Sequence, residues 1–135
     1  CALGAKLIDR IDALNQEKRK RAIYVIDSLK HYDQLRFHRV DTNRHNYHLL
    51  VAMDLSGNRD MFIEKMACEE KIQCVVQYYP LNRYDLYIKS HQGKADCPNA
   101  DQFFDNMISF PFQHMLTDQE VEQLIKSTQH VLEAL

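Results

Sequence analysis

Between residues 75 and 84 the sequence reads Val-Val-Gln-Tyr-Tyr-Pro-Leu-Asn-Arg-Tyr. Gln77, Tyr79, Asn82, Arg83 and Tyr84 bring amide, phenol and guanidinium groups together within eight residues. These groups hydrogen-bond to sugars and bases or stack on them, and loops carry such groups disproportionately. Pro80 fixes the direction in which the chain leaves the preceding apolar run. The competing reading is an aromatic loop that only packs on a neighbouring helix.

Other chemistry is weaker. Seven histidines invite a metal reading, and His45 and His48 stand three apart. That spacing converges on one ion only in a helix, and here it falls at the mouth of a strand. No H-E-x-x-H pattern or cysteine pair supports it, so no metal is expected. Cys1, Cys68, Cys74 and Cys97 form no C-x-x-C, and Cys68 and Cys74 sit in apolar periodic segments. Buried free thiols in a reducing compartment follow. The basic run at residues 17–21 fans around a helix as a solvated collar. With 17 basic against 19 acidic residues, the charge of -2 favours neither nucleic acid nor an anionic membrane. Gly4, Gly57 and Gly93 are the three glycines. None lies in a G-x-G-x-x-G or G-x-x-x-x-G-K spacing, which excludes a glycine-cradled phosphate site. No apolar run approaches a membrane span, and no signal-peptide pattern opens the chain.

The elements that would carry these residues follow from periodicity. Leu3, Leu7, Ile11, Leu14, Ala22, Val25, Ile26 and Leu29 predict one long helix over residues 1–30. Ile8 flanks the first stripe, so that half needs more cover than one small domain supplies. Residues 33–46 read as irregular, with a short strand near residues 35–38. A strand over residues 47–54 places Tyr47, Leu49, Val51 and Met53 on one face. Ser56-Gly57-Asn58 turns the chain into a helix over residues 59–70, burying Phe62, Ile63, Met66 and Ala67. Residues 72–78 predict a second strand, and residues 79–90 a loop. Cys97-Pro98 introduces a helix carrying Phe103, Phe104 and Met107. Thr117-Asp118-Gln119-Glu120 is a capping box, stapled by Leu116 and Val121. It opens a last helix faced by Val121, Leu124, Ile125, Thr128, Leu132 and Leu135. The expected class is α+β, a small antiparallel or mixed sheet covered by helices, in one unit of 135 residues.

Several of these blocks, taken in order, resemble the C-terminal part of the DegT/DnrJ/StrS sugar aminotransferases. The similarity runs through ALGAKLIDRIDALNQEKRKRAIYVIDSL, NYHLLVAM, NRDMFIEKM, VVQYYPLNRYDLY and CPNADQFFDNMISFPFQHMLTDQEVEQLI. The resemblance implies the small domain of a fold-type I, pyridoxal-phosphate-dependent enzyme: an interdomain-type helix at residues 1–30, then the domain at residues 31–135. It implies a cytoplasmic homodimer passing an amino group, from glutamate, to a nucleotide-linked keto-sugar in polysaccharide or related amino-sugar biosynthesis. Such chemistry needs a Schiff-base lysine, an acid at the pyridine nitrogen and phosphate donors. The family keeps these in its large domain, whereas Lys6, Lys18, Lys20, Lys30, Lys65, Lys71, Lys89, Lys94 and Lys126 all lie in small-domain blocks. The chain is therefore expected to be a fragment, inactive alone, with neither catalytic nor cofactor residues and with the missing large domain as its partner.

One departure stands out. The family's loop often reads His-Tyr-x-Pro-x-His, and here Gln77 and Asn82 replace both histidines. Amides hydrogen-bond sugar hydroxyls but shuttle no protons near neutral pH. Gln77, Tyr79, Asn82, Arg83 and Tyr84 remain the substrate-binding candidates. The alternative function is a non-catalytic regulatory or interaction module of the same family.

Overall fold

The computed structural model describes residues 2–38, 45–90 and 96–135. Cys1, Gly93, Lys94 and the middle of the irregular segment at residues 33–46 lie outside them.

The opening helix comes in two pieces, α1 (Ala2–Ile8) and α2 (Ile11–Leu29), rather than one. At Arg10 the backbone bond tightens to the carbonyl three residues back, on Leu7, and the helix resumes at Ile11. Ala22, Val25 and Leu29 of α2 are buried, whereas all of the described opening is exposed: Leu3 is 74% and Ile8 68% accessible.

Three antiparallel strands form one sheet in the order β1 (Leu35–Phe37), β2 (Leu50–Asp54), β3 (Met107–Phe110). Leu50 pairs with Phe110 and Ala52 with Ile108, and on the other side Phe37 pairs with Ala52. These residues share the face that packs into the core with Val25, Leu29, Phe62, Met66, Leu124 and Ile125. The expected phase of β2 is thus inverted, because Leu50 and Ala52 face the core. Tyr47 is nonetheless buried, at a left-handed φ of 48°, and it joins the core from outside the strand. Such a residue breaks extended alternation, so counting every second residue from Tyr47 selects the wrong face.

β3 was not expected at all. Met107, assigned from sequence to the preceding helix, is its first residue, and α5 (Pro98–Asn106) ends just before it. Conversely, the strand expected over residues 72–78 reduces to a single bridge. Val75 and Ser109 exchange both backbone bonds, at 3.0 and 2.8 Å, and nothing else there joins the sheet.

Between β2 and α3 (Arg59–Cys68) the expected turn is built around Asp54. Its buried carboxylate accepts from the Ser56 amide, the Ser56 hydroxyl and the Asn58 amide, at 3.2, 2.7 and 2.8 Å. Gly57 supplies the positive φ of 80° that this turn requires. Phe62 and Met66 are buried as expected, but Ala67 and Cys68 face solvent. The helix ends at Cys68, ahead of residue 70.

α6 (Asp118–Glu133) closes the fold. Its capping box is present: Thr117 Oγ1 accepts from the Glu120 amide at 3.2 Å, and Glu120 accepts from the Thr117 amide at 2.7 Å. Val121, Leu124, Ile125, Thr128 and Leu132 are buried as read from the sequence, joined by Val131, while Leu135 remains partly exposed. The architecture is a small antiparallel sheet covered by helices. Among the described residues no helix is long and apolar enough to cross a membrane.

Candidate functional site

Beyond the Val75 bridge the chain leaves the sheet edge and enters the aromatic loop. Gln77 is half-buried, with its Oε1 3.5 Å from Ser109 Oγ on β3. Pro80 leads into a 3-10 turn, Leu81–Arg83, and then α4 (Asp85–Lys89). Both fall within the segment expected to be loop.

Two carboxylates of α5 hold this turn. Asp101 lies 3.2 Å through either oxygen from Asn82 Nδ2, and its Oδ1 accepts from Arg83 Nε at 2.6 Å. Asp105 meets the far end of the same guanidinium, accepting from Nη1 at 2.7 Å and from Nη2 at 2.9 Å. Such a fork-to-fork pair fixes orientation as well as distance. Hydrogen bonds to Asp105 and then to Asp101 raise the pKa of Arg83, and Arg83 in turn holds Asp105 below the usual carboxylate range. The Arg83 guanidinium also lies over the Phe104 ring, 5.3 Å from its centroid.

The aromatic groups interlock around this clip. Tyr79 stands edge-on to Tyr84 at 4.9 Å and to Phe104 at 5.4 Å, and its hydroxyl is 3.4 Å from the Arg83 carbonyl. Arg59 at the start of α3 donates to the Phe104 carbonyl at 2.9 Å, tying α5 to the helix after β2. The structure therefore brings Tyr79, Asn82, Arg83 and Tyr84 into one cluster and leaves Gln77 at the sheet edge. The loop packs on α5, while Tyr79 and Tyr84 stay more than 40% exposed. Sequence reasoning missed Asp101 and Asp105. Their i, i+4 spacing on a helix that follows Pro98 was the available signal.

The histidines divide differently. His48 is exposed and its amide bonds to Asn46 Oδ1. His45 faces His38 instead, with 3.3 Å between their Nε2 atoms, and its Nδ1 accepts from the Tyr47 amide at 3.0 Å. Burial, then His38, Arg19 and Lys18, hold His45 below its ordinary value. Among the described residues no group of three or more potential ligands surrounds one point.

Lys20, Lys30, Lys65 and Lys89 each hold a carboxylate on their own helix or at its end, and Lys71 donates to the Cys68 carbonyl. Lys6 and Lys126 are exposed, and Lys18 lies over the Phe112 ring.

The DegT/DnrJ/EryC1/StrS aminotransferase family model matches residues 1–129. The chain belongs to this family. Among curated relatives it is similar to the uncharacterized protein MJ1066 of Methanocaldococcus jannaschii, 31% identical over 90 residues, which covers 65% of this chain and 23% of that protein. Among solved structures it is similar to Spr1654 of Streptococcus pneumoniae, described as a sugar aminotransferase. There the TM-score is 0.83 at 23% identity, covering 98% of this chain and 34% of the other. PseC of Helicobacter pylori, an aminotransferase involved in the biosynthesis of pseudoaminic acid, gives a TM-score of 0.85 at 19% identity, covering 99% of this chain and 37% of the other. At these identities the structural likeness is one of fold. The chain thus spans about a third of these solved structures and less than a quarter of MJ1066.

Proposed function

We propose that this chain is the C-terminal, small-domain portion of a pyridoxal-phosphate-dependent aminotransferase, and that residues 77–84 meet the sugar of a nucleotide-linked keto-sugar. The observation that carries this reading is the pinned aromatic loop, which keeps Tyr79 and Tyr84 exposed in a chain of the DegT/DnrJ/EryC1/StrS family. Rings and amides held at a surface suit a polar, flat-faced ligand, because phenol faces stack on sugars while amides pair with hydroxyls. Gln77 and Asn82 bind and orient on this reading, and neither carries a proton between substrate and solvent.

The amino group comes from glutamate, and the cofactor and its lysine belong to the larger part of the protein. When bound there, pyridoxal phosphate supplies the electron sink for amino transfer. The exposed Leu3, Leu7, Ile8 and Ile11 support a covering surface supplied by that larger part. The whole enzyme works as a cytoplasmic homodimer on this reading, toward an amino-sugar product.

The test uses the full natural protein that carries this chain, given glutamate and a UDP- or dTDP-linked 4-keto-hexose. Production of 2-oxoglutarate and the amino-sugar is the expected outcome. Absence of amination with every keto-sugar tried would overturn the proposal and leave the regulatory module as the reading to pursue.

A further inference from the structure

We propose that Asp101 and Asp105 are positioning residues of the sugar loop, acting through Arg83, and that Arg83 itself does not bind the nucleotide's phosphates. This rests on the reading that residues 77–84 meet the sugar. All three guanidinium nitrogens of Arg83 already donate to carboxylates, at 2.6, 2.7 and 2.9 Å. The two N–H groups left over lie at the outer edge of the guanidinium, so a diphosphate could not use the fork that Asp105 already fills. On this reading the clip faces the sugar, and the diphosphate lies elsewhere.

The same contacts decide what the loop has left to offer. Asn82 spends its Nδ2 on Asp101, which leaves its Oδ1 as an acceptor. Gln77 receives Ser109 Oγ on its Oε1, which leaves its Nε2 as a donor. Each amide also keeps capacity on its engaged end, a second N–H on Asn82 and a second lone pair on Gln77 Oε1, so both can pair with the hydroxyls of a ring. Tyr79, wedged between Tyr84 and Phe104, is set before any ligand arrives. Ordering the loop in advance removes a cost that binding would otherwise carry.

The experiment measures affinity in the full natural protein for dTDP-glucose, for UDP-N-acetylglucosamine and for UDP alone. It compares D101N, D105N, D105E and R83K, with hydrogen exchange read at the amides of residues 79–84. Faster exchange in D105N and R83K is expected, with about ten-fold weaker nucleotide-sugar binding, unchanged UDP binding and partial rescue in D105E. D101N serves as the second acidic variant if D105N does not fold. Loss of UDP binding in R83K would make Arg83 a phosphate ligand and overturn the proposal. Unchanged nucleotide-sugar affinity in the acidic variants would overturn it while leaving the function intact. A wild type that binds neither nucleotide sugar would sink the functional reading, and the positioning role with it.

Discussion

The Glu70 carboxylate lies 2.7 Å from Nδ1 of His130, joining the end of the α3 region to the last turn of α6. Its other oxygen accepts from Ser127 Oγ at 2.6 Å. The two helices are thereby fastened at a point where the sheet gives no support. The carboxylate stands between serine and histidine, so the histidine cannot take the serine's proton, and the trio is a fastener rather than a nucleophile with its base.

The hydrogen bonds from Ser127 and then His130 hold the Glu70 carboxyl below its usual value. A depressed folded-state pKa means stability that is full above the unfolded value, about 4.3, and is lost as pH falls through the depressed one. Wild type should therefore melt higher than E70Q at pH 7, and the gap should close on acidification below about pH 4. Melting curves followed by circular dichroism from pH 3 to 7 check this. A gap that stays constant over that range would contradict it.

Thr117 caps a helix that supplies much of the core. Thr117→Ala removes the acceptor for the Glu120 amide and should cost about 1 kcal/mol, while Thr117→Ser should cost little. Urea denaturation of the two variants separates the hydroxyl from the methyl group.

The start of the chain offers Leu3, Leu7, Ile8 and Ile11 to solvent, and none of them contributes to the core. The 135-residue chain should associate through this face. Replacing Leu7 and Ile8 with glutamine should reduce the association and leave the melting temperature nearly unchanged. Sedimentation velocity gives the first quantity and calorimetry the second. A chain that stays monomeric at all concentrations would speak against it.

Burial pushes the Cys74 thiol up to about 12. The thiolate is the reacting form, so Cys74 should resist a thiol reagent at pH 8 until the protein is denatured. Cys68, exposed at the end of α3, should be modified in the native state. Peptide mapping after timed labelling distinguishes the two sites.

Sequence disclosed what is decided locally. The capping box needs only Thr117 and Glu120, three residues apart, and the turn after β2 needs only Gly57 with a nearby acceptor. The phase of β2 was hidden because Tyr47 takes a left-handed backbone that no alternation pattern records. β3 was hidden because Met107–Phe110 follows α5 directly, without a turn signal. The candidate loop was visible through its composition, whereas the groups that hold it were not. Asp101 and Asp105 stand 18 and 22 residues from Arg83, and only the folded chain shows that they meet.

One backbone pair, Val75 with Ser109, and a single side-chain bond from Ser109 to Gln77 attach the start of the loop to the sheet. A segment hung from a single backbone pair can change its length and residue types without unzipping a strand or reopening the core. Divergence among proteins sharing this framework should therefore concentrate just after Val75, where a new ligand preference could arise while the inherited scaffold stays as stable as before.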